Sequence, residues 1–239
     1  MTKRVVDKND FLTLSDPHSG IEVWISPMGF MHNLTLALVD RSTDTVAIVD
    51  PYNGKRWLKR LADEKLRPTH IALTHTHCDH VWGLPVIQKA YPDIEIHVHR
   101  DALYPLNTLK SKFIFRDVAP THQWAMPPHS QTDWQCGNMC WILTHSPGHA
   151  PGHITLEGHG FFLSGDLLFT QLSGRCDIPG ADPIAQVASL RNARDRMREM
   201  PQDQRFIPGH NYKWIDGTRP AWVTVGEVLE HNRTLQKLD

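Results

Sequence analysis

The first fifty residues alternate between short apolar runs and polar breaks. Three segments are apolar or alternate with polar residues, at positions 21–26, 34–39 and 45–50. Short runs of this kind, with a period of two residues, predict β-strands. Asn53 then precedes apolar residues at three- and four-residue steps, which predicts a helix that is capped by Asn53 and limited by Pro68.

Strands and helices are then predicted in alternation along the rest of the chain. Further apolar runs predict strands at 71–74, 94–98, 139–144, 153–157, 161–164 and 206–207. Helical periodicity covers about 80–90 and resumes from about residue 223. Asp182 followed by Pro183 is typical of a helix start. The apolar stripe of that helix is formed by Ile184, Val187, Leu190 and Met197.

This order of elements indicates an α/β fold. Strands come first, and strands then alternate with helices twice over, which fits two sheets packed face to face and covered by helices on the outside. Residues 1–239 are expected to form one domain. Residues 104–134 show little periodicity, and such a stretch is more typical of an insertion that covers a pocket than of core.

Composition narrows the possible partners. The formal net charge is −1, which gives no electrostatic signature of a nucleic-acid binder. No signal peptide and no apolar run long enough for a membrane helix is found, and the four cysteines are too few for a disulfide scaffold. We therefore expect a cytoplasmic protein with a small-molecule substrate and without a nucleic-acid or membrane partner. The oligomeric state is left open.

The chain contains 16 histidines, and several of them are clustered. Residues 75–80 read His-Thr-His-Cys-Asp-His directly after a predicted strand. Residues at i and i+2 of an extended segment point the same way, so His75 and His77 can bind one metal. Asp79 and His80 lie where the chain turns into the next helix and can reach a second metal. Imidazole and carboxylate ligands suit zinc, manganese or iron.

This motif resembles the HxHxDH signature of the metallo-β-lactamase superfamily. Three further motifs follow in that family's order: Pro-Gly-His at 147–149, Gly-Asp at 165–166 and Pro-Gly-His at 208–210. The resemblance implies an αββα sandwich with two metal ions and Asp166 bridging them. It gives the following set of metal ligands: His75, His77, Asp79, His80, His149, Asp166 and His210.

The resemblance also implies a mechanism. Two metal ions, with zinc the first expectation and iron or manganese the alternatives, would provide a metal-bound hydroxide that attacks a carbonyl carbon. Asp79 would be both a ligand and the catalytic residue that orients the nucleophile or accepts its proton. His153 is expected to support the ligands through a hydrogen bond. None of the cysteines is predicted to be catalytic or to form a structural zinc site.

Two stretches indicate a branch of the superfamily. Residues 165–169 and 174–177 resemble the GD-x-LF…GR-x-D pattern of glyoxalase II-like thioesterases and of persulfide dioxygenases. We therefore expect a hydrolase of a small thioester or ester, with Arg175 either at the substrate or in a surface ion pair with Asp177. The helical domain that holds glutathione in many glyoxalase II enzymes is missing, so glutathione is not assigned.

Three alternatives stay open at this point. The first is a mononuclear iron persulfide dioxygenase, and the second is a lactonase, suggested by the repeated Pro-Gly-His that places His149 and His153 four residues apart. The third is a non-catalytic metal-binding protein on the same fold.

Overall fold

Two mixed β-sheets form the centre of the structure, a computed structural model that describes residues 4–104 and 107–238. The first sheet has its seven strands in chain order; the first four pair antiparallel, and the fourth to seventh are parallel to one another. These strands are β1 (Leu12–Ser15), β2 (Glu22–Met28), β3 (Asn33–Asp40), β4 (Thr45–Val49), β5 (His70–Ala72), β6 (Glu95–His99) and β7 (His122–Trp124).

The second sheet has six strands in the order β13-β12-β11-β10-β9-β8. Only the pair of β11 and β12 is parallel among these neighbours. The strands are β8 (Gln131–Cys136), β9 (Met139–His145), β10 (Ile154–Gly158), β11 (Phe161–Gly165), β12 (Arg205–Pro208) and β13 (Val223–Thr224).

Six helices cover the outer faces or connect the strands. They are α1 (Gly54–Asp63), α2 (Cys78–Val81), α3 (Leu84–Ala90), α4 (Leu109–Ile114), α5 (Pro183–Glu199) and α6 (Val225–His231), with short 3₁₀ turns at Arg100–Ala102 and Leu235–Lys237. Helices α1 and α3 pack on the first sheet, and α5 and α6 pack on the second. The predicted αββα sandwich is confirmed. No helix in the described ranges is both long and apolar enough to cross a bilayer.

The apolar run of strand β3 is continuous because both faces of the strand are covered. Leu36 and Leu38 face the other sheet, whereas Ala37 and Val39 face the helices on the outside. Because successive strand residues point to opposite faces, a strand covered on both sides must be apolar at nearly every position. The central core therefore lies between the sheets, and two smaller cores lie beneath the helices.

The helix predicted at 80–90 is wrong as a single element. The structure has α2 and α3 with a break between them. Gly83 packs directly against the backbone of Pro51 and Gly54, where a Cβ atom would overlap with main-chain atoms. Pro85 has no N–H and cannot continue the hydrogen-bond ladder. The two residues together interrupt the helix just after the histidine motif.

The predicted start of α5 is confirmed, but half of its apolar stripe is wrong. Asp182 accepts hydrogen bonds from the backbone N–H groups of Ile184 and Ala185 at 2.8 and 3.0 Å. Ile184 is 84% exposed, and Val187 is also exposed. The buried residues here are polar: Gln186 accepts from the His149 N–H, and Ser189 donates to the carbonyl oxygen of Pro147. The first turns of α5 therefore hold a site loop rather than pack on the core.

Residues 104–134 are more regular than predicted. They contain α4, β7 and the start of β8, and both strands extend the two sheets. Residues 105 and 106 of this segment lie outside the described residues. The C-terminal helix is preceded by the short strand β13, which its sequence pattern did not reveal.

A buried carboxylate joins the two sheets and gives a testable pH dependence. Asp40 accepts hydrogen bonds from Ser42, Thr43 and the backbone N–H of Asn138, which lies in the β8–β9 turn. Burial by itself would raise the pKa of Asp40, but these hydrogen bonds lower it from 3.8 to about 2. An Asp with a depressed pKa stabilises the fold above its unfolded-state pKa, and that stability is lost as the pH falls through the folded-state value.

We expect Asp40→Asn to lower the free energy of unfolding by about 2 kcal/mol at pH 7. The difference from the wild type should shrink between about pH 4 and pH 2, because the carboxylate is protonated first in the unfolded and then in the folded wild-type protein. Urea denaturation at pH 7 and at pH 3 measures both values, with the exposed Asp44→Asn as the control. Equal destabilisation at both pH values would show that the hydrogen bonds act independently of the charge.

Candidate metal centre

Three histidines from distant parts of the chain meet at one edge of the sandwich. His75 and His77 follow β5, and His149 lies in the turn between β9 and β10. One ligand atom from each ring lies within 4.8 Å of the others, and all three side chains are buried. We call this group the three-histidine cluster.

A second group lies beside it. Asp79 and His80 of α2 meet His210, which follows β12, and their ligand atoms also lie within 4.8 Å of one another. We call this group the aspartate–histidine cluster. The predicted second set of ligands is therefore brought together, although Asp79 and His210 are separated by more than a hundred residues.

Asp166 lies between the two clusters. Its Oδ2 is 3.5 Å from His149 Nε2 and 3.2 Å from His210 Nε2, and its Oδ1 is 3.4 Å from His80 Nε2. One carboxylate thus reaches both groups, as expected for a bridging ligand. All seven residues predicted as metal ligands converge here.

The histidine rings are held by their Nδ1 atoms. The partners are the Thr74 hydroxyl for His75, Asp50 Oδ2 for His80, the Arg175 carbonyl oxygen for His149 and the Met31 carbonyl oxygen for His210, at 2.8 to 2.9 Å. Buried Nε2 atoms without a hydrogen-bond partner are left on His75, His77, His80 and His149, together with Oδ1 of Asp166. Buried polar atoms normally have partners. Several unpartnered donor atoms that converge on one place are what a metal site requires, so the residues fit metal ions.

The electrostatics differ between the two clusters. Burial, with the neighbouring histidines, lowers the pKa of His75 and His77 well below the ordinary value, which keeps these rings neutral and able to ligate. Burial also acts on His80 and His210, but nearby carboxylates, Asp166 foremost, raise the pKa of both. The aspartate–histidine cluster therefore holds its carboxylates by charge as well as by hydrogen bonds.

Asp50 is a site residue that the sequence analysis missed. Its carboxylate accepts hydrogen bonds from the Thr74 N–H at 2.8 Å, from the Thr74 hydroxyl at 2.6 Å and from His80 Nδ1 at 2.9 Å. It therefore fixes the orientation of His80 and of the chain just before His75. The signal was present, because Asp50 is a carboxylate at the end of a predicted buried strand.

Asn33 and His153 also support the centre. Asn33 Nδ2 donates to Asp79 Oδ2 at 2.9 Å, a contact that the sequence analysis did not foresee. The fully buried His153 accepts a hydrogen bond at Nε2 from the backbone N–H of Asp166 at 3.0 Å. That contact agrees with the support predicted for His153, whose role in the chemistry stays a prediction.

Two glycines allow the close approach of these elements. Gly165 has a φ of +50°, and a Cβ atom there would lie 2.6 Å from His153 Nε2. A Cβ atom on Gly209 would overlap with Asp166 Oδ1. Glycine is the residue that permits both the left-handed backbone and the close contact.

A cavity of about 680 Å³ opens onto the centre, with His77, Asp79, His149, Asp166 and His210 in its lining. Its walls are mainly apolar and come largely from α4 and from the segment after β11, with Met31 and Tyr212 from elsewhere in the chain. The apolar and aromatic lining residues are Met31, Phe113, Ile114, Phe169, Leu172, Ile178, Pro179 and Tyr212.

Two cationic side chains lie at this cavity, Lys110 and Arg175. Arg175 donates to both carboxylate oxygens of Asp177 at 2.6 and 2.7 Å, and both side chains are largely exposed. The two possibilities left open for Arg175 are therefore compatible: it forms the surface ion pair and also lines the cavity. Cys78 lines the cavity too, where burial raises the pKa of its thiol.

Comparisons with known proteins agree with this geometry. The family model described as the metallo-beta-lactamase superfamily matches residues 33–210, which is more than half of the chain. A hydroxyacylglutathione hydrolase of Aeromonas salmonicida (strain A449) is 30% identical over 167 residues, covering 69% of this chain and 56% of that protein. The chain thus spans only about half the length of this curated relative.

Solved structures show the same fold. The BLEG-1 B3 metallo-beta-lactamase has a TM-score of 0.71 at 23% identity and covers 88% of this chain and 98% of its own. ETHE1 from Myxococcus xanthus has a TM-score of 0.63 at 20% identity and covers 94% of this chain and 83% of its own. The motif order, the fold and the family match lead to one conclusion: this chain belongs to the metallo-β-lactamase superfamily.

Proposed function

We propose that the chain is a metal-dependent hydrolase that cleaves a small thioester or ester. The observation that carries this proposal is the position of Asp166, which lines the cavity and whose carboxylate lies within 3.5 Å of ring nitrogens from both donor clusters. Similarity to a hydroxyacylglutathione hydrolase supports a thioester as the substrate class.

His75, His77, His149 and Asp166 would hold one cation, and Asp79, His80, His210 and Asp166 would hold the other. The proposed metal is zinc, with two ions per chain, because imidazole and carboxylate ligands suit zinc. Iron and manganese accept similar ligands. When bound, such ions lower the pKa of water and polarise a carbonyl oxygen, which is the chemistry that hydrolysis needs.

The chain's own residues would orient the reaction. Asn33 holds Asp79 Oδ2, so the carboxylate at the inner end of the cavity has a fixed position from which to accept a proton. Tyr212 stacks on His210, with ring centroids 5.4 Å apart, and burial raises the pKa of its hydroxyl to about 12. A hydroxyl that stays protonated can donate a hydrogen bond to a substrate oxygen.

The lining of the cavity supports a substrate with an apolar part and an acidic end. Phe113, Ile114 and Phe169 provide apolar contact area, and Lys110 and Arg175 provide positive charge. Lys110, Phe113 and Ile114 belong to α4, which supports the predicted role of residues 104–134 as a pocket-covering insertion. A single domain over residues 1–239 stays a prediction. Cytoplasmic location stays a prediction from the sequence.

A persulfide dioxygenase is the second candidate. His75, His149 and Asp166 provide two imidazoles and one carboxylate close together, the donor set of many mononuclear iron oxygenases. The fold similarity to ETHE1 and the GR-x-D stretch are compatible with it.

Metal analysis of protein purified without added metal tests the proposal, followed by assays on the same preparation. We expect about two zinc ions per chain and hydrolysis of thioesters with an apolar acyl group and a carboxylate. Glutathione thioesters, simple esters and lactones complete the panel. A fully loaded protein that hydrolyses none of them would overturn the proposal. About one iron per chain with oxygen uptake on glutathione persulfide would establish the second candidate instead.

A further inference from the structure

A second group of histidines lies at the amino ends of the parallel strands of the first sheet, whereas the metal centre lies at their carboxyl ends. His70, Glu95 and His122 are the first residues of the parallel strands β5, β6 and β7, whereas His75 and His77 follow the end of β5. His70 pairs in register with Glu95, and His97 pairs with His122. Because side chains two residues apart on a strand share a face, all four side chains lie on one face of the sheet.

These side chains converge on one carboxylate oxygen. Glu95 Oε2 is 3.1 Å from His97 Nε2, 3.5 Å from His70 Nε2 and 3.8 Å from His122 Nδ1. Ligand atoms of His70, Glu95 and His97 all lie within 4.8 Å of one another. Two imidazoles and one carboxylate form a donor set that suits transition metals. The His122 ring stacks on that of His97, and its Nδ1 lies 2.9 Å from the Thr121 hydroxyl.

The hydrogen bonds orient His70 for ligation. The Thr69 hydroxyl donates to the Val46 carbonyl oxygen at 2.9 Å and lies 2.8 Å from His70 Nδ1. Because this hydroxyl donates its proton to the Val46 carbonyl oxygen, it accepts a hydrogen bond from the Nδ1–H of His70. The Nε2 atom of His70 then carries a lone pair that faces the Glu95 carboxylate. Two acceptors that face each other at 3.5 Å favour a cation between them. Thr74 holds Nδ1 of His75 in the metal centre through the same arrangement.

The surroundings of the group are those of a binding site that is open to water on one side. The side chains of His97 and His70 are 9% and 17% exposed, whereas those of Glu95 and His122 are 46% and 55% exposed. The buried part lies on the face that looks towards the second sheet, against Trp134. Burial lowers the pKa of His97 to about 4 and lowers that of His70, so both rings are uncharged at neutral pH. An ion can enter from the exposed side and meet neutral imidazoles.

We propose that His70, Glu95 and His97 bind a divalent transition-metal ion of the zinc and copper class, at a site separate from the candidate metal centre. The ion would join the two neighbouring parallel strands β5 and β6 and would therefore stabilise the folded state. This proposal does not depend on the activity of the metal centre.

The test uses untagged protein whose metal centre is already loaded. After equilibrium dialysis against micromolar free Zn²⁺, we expect one zinc ion per chain beyond the content of the centre, together with a rise in Tm. Glu95→Gln should weaken the additional binding by at least about tenfold and abolish the rise in Tm, while activity on the substrate of the loaded centre is unchanged.

Two further variants make the result specific. His70→Gln removes a second ligand and should also weaken the additional binding, which guards against a folding defect in one variant. His18→Gln changes an exposed histidine elsewhere and should leave the additional binding at the wild-type level. Wild-type protein that takes up no additional zinc would overturn the proposal, as would Glu95→Gln protein that binds it with wild-type affinity.

Discussion

Replacing Asp166 with asparagine is expected to empty both donor clusters of metal and to lower kcat/KM by about a thousandfold, or about 4 kcal/mol of transition-state stabilisation. Asparagine keeps the size of the side chain but removes the charge and one ligating oxygen. Among the described residues, the Asp166 carboxylate is the one that lies within 3.5 Å of ring nitrogens of both clusters. Its loss should therefore weaken two sites at once.

Metal analysis and steady-state kinetics on the purified variant measure this effect. Asp44→Asn is the matched control, because Asp44 is exposed and has a φ of +53°, which asparagine tolerates. Far-UV circular dichroism would establish that the Asp166→Asn protein is folded. A folded variant that keeps about two ions per chain would contradict the bridging role of Asp166.

His77→Ala is expected to have a more selective effect. It removes one of three rings from the three-histidine cluster and leaves the aspartate–histidine cluster intact. We expect the loss of about one ion per chain and a fall in activity of about a hundredfold or more, because a direct ligand contributes at least as much as the residues that orient it. The contrast with Asp166→Asn separates a ligand of one site from a ligand that both sites share.

The measurement is again metal content together with activity, with His18→Ala as the exposed control. His77 is buried and its ring lies 4.7 Å from that of Phe115, so thermal unfolding should accompany the assays. Full retention of both metal and activity by His77→Ala would refute the assignment of the three-histidine cluster.

The elements predicted well from the sequence are those whose pattern has one local cause. The run at 34–39 became β3 because both of its faces are covered, and Asn53 caps α1 by accepting from the Arg56 N–H at 3.2 Å. The stripe of α5 failed because its first turns pack on the site loop through Gln186 rather than on the core. The apolar periodicity of a helix predicts its buried face only where that face is buried by apolar contacts.

The residues of the candidate site also fall into those that a local pattern reveals and those that it does not. The ligands could be predicted because they stand in short motifs whose spacing and order are recognisable along the chain. Asp50 and Asn33 were missed, because each acts on a residue that is 30 or 46 positions away. The place of Asp50 at the end of a predicted buried strand marked it as a candidate, but did not show which residue it holds. The zinc-binding group proposed around Glu95 was missed for a related reason: its two histidines lie on different strands, 27 positions apart, and form no short motif.

The fold class, the family resemblance and the seven residues that converge at the candidate metal centre could all be predicted from the amino-acid sequence. Those features depend on local periodicity and on short motifs. Four features became visible only in the folded chain. They are the side chains that hold the ligands, the break between α2 and α3, the place of α4 at the cavity, and the group of histidines at the other end of the parallel strands. Each of these depends on how parallel strands align and how two sheets pack, and contacts between distant residues leave no period in the chain.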